Sequence, residues 1–197
     1  MANRLTWGIS AALVLAWAPA MLAQFVVEDI WSAAGATGIV DEADRDIYQF
    51  NSTGSVSIKS SVASGTLDIR FPVQTMPAHD APAGACTQLR ALLRDTGPGV
   101  RVVVRLMQLG IKSGFDGQLT SLGQIDTDTS QRLSRLNEPL AYAQYRTCLN
   151  VPTGRPFDFQ FFTYYVEAQL IKTAAGGNPG PGLMAVQICH TEEQCEP

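Results

Sequence analysis

A short acidic run is the densest group of side chains in this sequence that could do chemistry. It consists of Asp41, Glu42, Asp44 and Asp46. Carboxylate oxygens in a loop suit Ca²⁺, although the spacing does not match an EF-hand loop. Asp side chains that cap the turns of a solvated loop explain the run equally well. The sequence therefore leaves a weak calcium site open, with Asp126 and Asp128 as a lesser second one, and predicts no other metal or cofactor.

No arrangement of residues indicates a catalytic nucleophile. A Gly-x-Ser-x-Gly elbow is absent from the sequence, and the only histidines are His79, in a loop rich in Pro and Ala, and His190, between two cysteines. Paired acids for glycoside cleavage could be drawn from Asp158, Glu167 and the acidic run, but any exported chain supplies such pairs. We therefore predict that the protein is not an enzyme.

The aromatic residues between Phe157 and Tyr165 suggest a different chemistry, the stacking of sugar rings. Tyr165 is the most informative of them, because it shares a polar face with Glu167 and Gln169 in an alternating pattern. The alternative interpretation is that most of these rings belong to the core and that one tyrosine is exposed by chance. The sequence favours this second interpretation and keeps Tyr165 as a candidate ligand-stacking residue.

The same stretch, from Phe157 to Thr173, is predicted to form the central strand of a sheet. From Phe162 to Leu170 every second residue is apolar, which is the period of a half-buried strand. Before Phe162 the alternation has the opposite phase, so we expect a bulge or short break near Phe161.

Other segments alternate in the same way and are separated by Gly, Pro and polar turns. The sequence predicts a hairpin of Gln88–Asp95 and Val100–Met107. From Gly114 to Ala143 the alternation is weak: Leu119, Leu122 and Ile125 recur at a helical spacing, but glycines and a run of Asp and Thr break any long helix, and we expect one short helix near Ser130–Leu136. The sequence also predicts a last strand in which Met184, Val186 and Ile188 share a face. These elements add up to an all-β fold, an antiparallel β-sandwich of possible jelly-roll type. The remaining predicted strands are Ile47–Asn51, Val56–Lys59, Gly65–Val73, Tyr142–Leu149 and Leu183–Cys189.

The N-terminus has the layout of a cleaved signal peptide. A short polar start with Arg4 precedes an apolar run and then small residues, and we expect cleavage after Ala23 or, alternatively, after Ala20. Residues 24–197 are then expected to form a single β-sandwich domain, secreted or periplasmic, without membrane insertion of the mature chain. A net charge of −4, more negative still without Arg4, argues against nucleic acid as a partner.

The cysteines of the exported chain predict disulfide bonds. There are four, Cys86, Cys148, Cys189 and Cys195, and none forms a Cys-x-x-Cys motif. We expect Cys189 to pair with Cys195, because a short loop closes easily, which leaves Cys86 to pair with Cys148.

Two patches of the sequence resemble those of a known group. They are Ala36–Glu42, followed by Tyr48 and Leu67–Val73, and Tyr164–Glu167 with Leu183–Ile188. Together they resemble uncharacterised bacterial exported proteins, which are small all-β chains without an assigned activity. The resemblance implies the fold and the envelope location and supplies no catalytic residue.

These observations favour an exported, non-enzymatic β-sandwich protein that is a binding or structural module of the cell envelope or extracellular space. A carbohydrate-binding module is the alternative, and a small envelope hydrolase is a third hypothesis. The expected partner is a protein or a glycan.

We predict that fewer than about one residue in five of the mature protein is helical, against about one in three in typical globular proteins. Far-ultraviolet circular dichroism should therefore show a spectrum of strand type, and a strong helical double minimum would contradict the sandwich.

Overall fold

The computed structural model describes residues 31–74, 86–130, 132–135, 142–151, 157–174 and 177–189. Within these ranges the chain forms antiparallel strands, and its helical residues are two single 3-10 turns, at Gly35–Thr37 and Glu42–Asp44. The predicted all-β antiparallel sandwich is confirmed. The strands are β1 (Trp31–Ala34), β2 (Ile39–Val40), β3 (Tyr48–Phe50), β4 (Val56–Ile58), β5 (Gly65–Val73), β6 (Gln88–Arg94), β7 (Val100–Gly110), β8 (Leu119–Asp126), β9 (Arg132–Arg135), β10 (Tyr142–Cys148), β11 (Phe162–Lys172) and β12 (Gly182–Cys189).

The strands form two sheets. Sheet A has seven strands in the order β3-β4-β12-β6-β10-β9, and β1 also pairs with β12. Sheet B has five strands in the order β2-β5-β11-β7-β8. Strands that follow each other in sequence often belong to different sheets, so the chain crosses repeatedly between the two layers.

The predicted central strand is the middle of sheet B. β11 pairs with β5 on one side and with β7 on the other, along nearly its whole length. Val166, Ala168 and Leu170 point between the sheets and are fully buried. The predicted break is also present, because residues 157–161 lie outside the strand and the backbone N–H groups of Phe161 and Phe162 both donate to the Asp158 carbonyl.

The core fills the space between the sheets with alternate residues of the central strands. Each fully buried aliphatic side chain contributes about 1.5–3 kcal/mol relative to exposure. Sheet B provides Leu67, Ile69, Phe71, Val102, Val104 and Leu106 besides the β11 residues, and sheet A provides Leu89, Ala91, Leu93, Leu183, Val186 and Ile188.

The predicted β6–β7 hairpin is wrong. Both strands form where the sequence places them, but β6 pairs with β10 and β12 in sheet A, whereas β7 pairs with β8 and β11 in sheet B. The turn between them leads from one sheet to the other. An alternating pattern specifies which face of a strand is apolar but not which strand lies beside it, and the short turn misled the prediction.

The predicted helix near Ser130–Leu136 is also wrong, since the chain forms β9 there. The helical spacing of Leu122 and Ile125 has another origin. In β8 the register with β7 shifts so that Leu106 faces Gly123 while Met107 faces Ser121, which leaves Leu122 as an extra, bulged residue. The bulge lets Leu122 and Ile125 both be buried in one strand.

A second bulge corrects the prediction for the last strand. The register of β12 shifts between Leu183 and Ala185, so Met184 is the extra residue. Leu183, rather than the predicted Met184, is fully buried in the core together with Val186 and Ile188. Met184 is only half-buried.

The predicted Cys86–Cys148 disulfide is present, with Cα atoms 5.6 Å apart. It joins the segment before β6 to the end of β10, and these two strands are neighbours in sheet A. Cys189 is also oxidised, while its predicted partner Cys195, the predicted signal peptide, His79 and His190 lie outside the described residues.

No helix among the described residues has the length and apolarity needed to cross a membrane.

We expect the variant with Cys86→Ser and Cys148→Ser to be less stable by up to about 4 kcal/mol, because the bond closes a long loop. Thermal unfolding should show a larger decrease in melting temperature for this variant than for the variant with Cys189→Ser and Cys195→Ser. The shorter loop that the second bond would close stabilises the protein by only about 2 kcal/mol. Equal decreases would contradict the expectation, and non-reducing peptide mapping would check the Cys189–Cys195 pairing.

Candidate binding face on sheet B

The outward faces of the two sheets differ in accessibility. In sheet A the outward residues Gln88, Arg90, Arg94 and Tyr142 are buried. In sheet B most outward side chains are exposed or half-buried. We call the outward side of sheet B the outer face. Its residues on β11 are Thr163, Tyr165, Glu167, Gln169 and Ile171, which alternate with the core residues.

A network of charged and amide side chains crosses the middle of the outer face. The Arg105 Nε donates to Gln124 Oε1 (2.9 Å), and its Nη1 donates to Gln169 Oε1 (3.0 Å). The Arg105 Nη1 also lies 3.6 Å from Glu167 Oε2, and Glu167 Oε1 lies 3.9 Å from Arg70 Nε. The network thus joins four neighbouring strands, β5, β11, β7 and β8, and fixes the planar groups of Arg105 and Gln169.

The pairing of the strands explains this network. Glu167 is the direct cross-strand neighbour of both Arg70 and Arg105, and Arg105 is the neighbour of Gln124. Opposite charges placed side by side on one face of a sheet stabilise it by about 0.2–1 kcal/mol per pair. Glu167 and Gln169 lie on the polar face that the sequence predicts, whereas Arg70, Arg105 and Gln124 are not among the predicted site residues. The alternation of β5 and β7 already assigns both arginines to a polar face, whereas the weak pattern of β8 gives no signal for Gln124.

Tyr165 lies on the outer face, one outward position from Glu167 and so about 6.8 Å along the strand. Its cross-strand neighbours are Pro72 on β5 and Met107 on β7. The tyrosine is half-buried and Pro72 is exposed. Tyr165 therefore belongs to a row with an apolar character beside the polar network, which is the combination that a sugar ring with C–H and O–H groups requires.

The other predicted aromatic residues pack against one another at one end of the core. Phe157 and Phe159 lie edge-on against Tyr164, with ring centroids 4.9 and 5.1 Å from it. The Tyr164 hydroxyl accepts a hydrogen bond from the Asp158 N–H (2.9 Å), and burial raises its pKa. These rings pack on one another at the end of the core, whereas Tyr165 lies on the outer face.

Phe115, which sequence analysis missed, adds to this aromatic end from the β7–β8 loop. Its ring lies edge-on to Phe162, with centroids 5.2 Å apart, and to Phe161, at 6.1 Å. The Lys112 Nζ lies 3.9 Å from the centroid of the Phe161 ring. A single phenylalanine in a glycine-containing loop has no periodic signal in the sequence.

An ion pair lies at the opposite end of the outer face. The Arg101 guanidinium donates through Nε to Asp126 Oδ1 (2.9 Å) and through Nη2 to Asp126 Oδ2. Only 6% of the Asp126 side chain is exposed, and the hydrogen bond from Arg101 lowers its pKa below the ordinary value of 3.8. Asp128 is more peripheral, with Oδ2 3.5 Å from Arg101 Nε.

A cavity of about 510 Å³ adjoins this ion pair. Its polar lining comes from Asp95, Arg101, Asp128 and Thr173, and Pro98 and Ile171 provide apolar surface. Volumes of about 300–1,000 Å³ are typical of small-ligand sites. The cavity therefore has a volume within this range and a lining that is partly polar and partly apolar.

The acidic run predicted as a weak calcium site uses its carboxylates in local structure. Asp41 Oδ1 accepts from the Ala43 N–H (3.1 Å) and caps the 3-10 turn, and Asp44 Oδ2 accepts from the Asp68 N–H (2.9 Å). Glu42 and Asp46 belong to the same turn segment. Among the described residues no group of three or more Asp, Glu, His or Cys side chains could hold a metal ion. The contacts of Asp41 and Asp44 follow the capping interpretation.

The two acids considered for hydrolysis serve different parts of the structure. Asp158 Oδ1 accepts from the Gln160 N–H (3.0 Å) in the loop before β11. Glu167 is paired with Arg70 and Arg105 on the outer face. The contacts of these two carboxylates do not connect them.

Comparison with known proteins identified no matching family model and no matching curated protein. Among solved structures, the chain is similar to the mannan-recognising carbohydrate-binding module TmCBM27, at 8% identity over 81% of this chain and 87% of that one, with a TM-score of 0.33. It is also similar to a family 11 carbohydrate-binding module from Clostridium thermocellum in complex with a β-1,3-1,4-mixed-linked tetrasaccharide, at 10% identity over 83% and 89%, with a TM-score of 0.28. A structure of infectious bursal disease virus, Gx strain, matches at 11% identity over 83% of this chain and 33% of the other, with a TM-score of 0.32. At these scores we draw no functional conclusion from them.

We expect Asp126→Asn to lower the free energy of unfolding by about 1–3 kcal/mol at neutral pH, because it removes the charged partner of Arg101. The pKa of Asp126 is lowered on folding, so its contribution is fully present above pH ~4 and is lost as the pH falls through the folded-state pKa.

Urea unfolding at several pH values measures this difference. The gap between wild type and Asp126→Asn should narrow below pH ~4. Asp128→Asn, at a side chain that is 57% exposed, is the control and should change stability by less than about 0.5 kcal/mol. A gap that stays constant down to acid pH would show that the charge of Asp126 is not responsible.

Proposed function

We propose that this chain is a non-catalytic binding module that recognises a glycan through the outer face of sheet B. The single observation that supports this most is the network of Arg70, Arg105, Gln124, Glu167 and Gln169, which places fixed donors and acceptors across four strands. Sugar hydroxyls both donate and accept hydrogen bonds, so a surface with both kinds of group can satisfy them. The proposal rests on this face and not on the similar structures.

The geometry of the network suits recognition rather than reaction. Glu167 lies between two guanidinium groups, at 3.9 Å from Arg70 and 3.6 Å from Arg105. Glycoside cleavage needs a second carboxyl group across the bond to be cleaved, whereas the ion pairs of Glu167 are with these two guanidinium groups. A carboxylate in this setting accepts hydrogen bonds from a ligand.

The apolar row next to the network would contribute the second part of the binding. Tyr165 can stack against the C–H surface of a sugar ring while the network binds its hydroxyls. Because the groups lie on paired strands, they are already ordered before the ligand arrives, which reduces the entropic cost of binding. A disulfide-bonded β-sandwich is also typical of the oxidising compartments in which extracellular and envelope glycans occur.

The proposal is tested by glycan binding and substitution. The mature protein should bind on an array of plant, fungal and bacterial envelope oligosaccharides. Arg105→Ala and Tyr165→Ala should each weaken the binding by about tenfold or more, since a tenfold change corresponds to about 1.4 kcal/mol and truncation of a central contact commonly exceeds 1 kcal/mol.

Two matched controls separate binding from folding. Tyr165→Phe keeps the ring and should remain within about threefold of wild type, and Arg132→Ala removes an exposed arginine from β9 of sheet A and should have no effect. All variants should have melting temperatures that identify them as folded. If no glycan binds at millimolar concentration, or if Arg105→Ala and Tyr165→Ala bind as wild type does, the proposal is wrong.

A further inference from the structure

The cavity at the Arg101 end is continuous with the outer face. On β11 the outward residues after Glu167 are Gln169 and Ile171, and on β7 the outward residues before Arg105 are Val103 and Arg101. Ile171 and Arg101 line the cavity. Four residues of extended strand separate Arg105 from Arg101, or about 14 Å. Val103, between them on β7, is only 1% exposed, so a linear ligand that runs from the network to the cavity passes over the side chains that cover Val103.

The β6–β7 turn borders the cavity beyond the ends of the strands. Gly97, Pro98 and Gly99 of this turn line it. Gly97 and Gly99 have positive φ angles of 109° and 82°, which only glycine adopts easily, so the sequence is specific for this tight turn. A ligand that enters along the strands meets the turn at the end of the sandwich.

Hydrogen bonds fix the turn in this position. The Gly97 N–H donates to Asp95 Oδ1 (2.8 Å), and the Val100 N–H donates to the Gly97 carbonyl (3.0 Å). The Gly99 carbonyl accepts from the Thr173 N–H (2.8 Å), and Thr96 Oγ1 donates to the Pro179 carbonyl (3.1 Å). The turn is thereby tied to the residue that follows β11 and to the loop that precedes β12. Because it lies beyond the paired residues Val100 and Lys172, it stands in the path of a ligand that extends along β7 and β11.

The lining also indicates the chemistry of the group that would bind there. Asp95 and Asp128 are carboxylates that can accept hydrogen bonds from hydroxyl groups, while Pro98 and Ile171 offer apolar contact to C–H groups. The positive charge of Arg101 is already paired with Asp126. The cavity is therefore negatively charged overall and disfavours a uronic acid or a phosphorylated sugar.

We propose that this cavity binds the uncharged terminal sugar of a glycan whose chain lies along the outer face, so that the module recognises chain ends. This inference rests on the proposed function, because the same face binds the rest of the chain. It adds that the glycan must have a free, uncharged terminal sugar. The interior sugars of a chain alone are not sufficient for binding.

The stoichiometry of binding distinguishes an end from an interior. The probes are linear hexasaccharides of β-1,4-linked glucose, mannose and xylose and of α-1,4-linked glucose, together with a soluble polymer of each backbone. Isothermal titration should give one module per bound hexasaccharide and still only one per chain for the polymer. If the number of modules per chain rises with chain length, end recognition is wrong and the proposed glycan binding stands. If none of these saccharides binds, the inference of a neutral chain end is wrong, and the glycan array decides the proposed function separately.

A pair of matched substitutions tests the cavity itself. Thr173→Trp fills the cavity from an exposed position, and we expect it to weaken hexasaccharide binding by at least tenfold. Thr53→Trp makes the same change at an exposed position in the β3–β4 turn of sheet A, away from the outer face, and its affinity should stay within about threefold of wild type. Wild-type affinity of a folded Thr173→Trp variant would overturn the inference, as would equal losses in the two variants.

Discussion

The pairing of β11 with β5 and β7 sets the positions of both the core and the outer face. β11 has a neighbour on each side along nearly all of its length, so its backbone groups are satisfied and its register cannot slip without moving every side chain to the other face. The register places Val166, Ala168 and Leu170 in the core. It places Tyr165, Glu167 and Gln169 on the outer face in the same step.

This coupling joins the stability of the fold to the proposed binding. The core requires the even-numbered residues of β11 to be buried, and the odd-numbered ones then form a surface whose spacing is set by the sheet. Arg70, Arg105 and Gln124 arrive beside Glu167 because their strands are in register with β11 and with each other. A site built on paired strands is ordered without a ligand, which is the property that a rigid binding module needs.

The two ends of the outer face differ for reasons of local chain geometry. At one end the β7–β8 loop brings Phe115 onto Phe161 and Phe162 and covers the end of the core. At the other end the turn with Gly97 and Gly99 passes between the sheets and borders the cavity beside Arg101. The two ends of the outer face are therefore different: aromatic rings pack at one end, and a polar cavity lies at the other.

Local alternation predicts the parity of the long strands, the break before Phe162 and the class of the fold, because it records which side chains must be buried. The Cys86–Cys148 bond was a correct choice among the three pairings that four cysteines allow. The alternation also identified Tyr165, Glu167 and Gln169 as members of one polar face. The tertiary structure alone decided that β6 and β7 belong to different sheets, that bulges at Leu122 and Met184 shift the register, and that Arg105 is surrounded by Gln124, Glu167 and Gln169. The reason is physical: alternation within a strand reports the burial of its own side chains, whereas the choice of neighbouring strand depends on how all the apolar faces pack together at once.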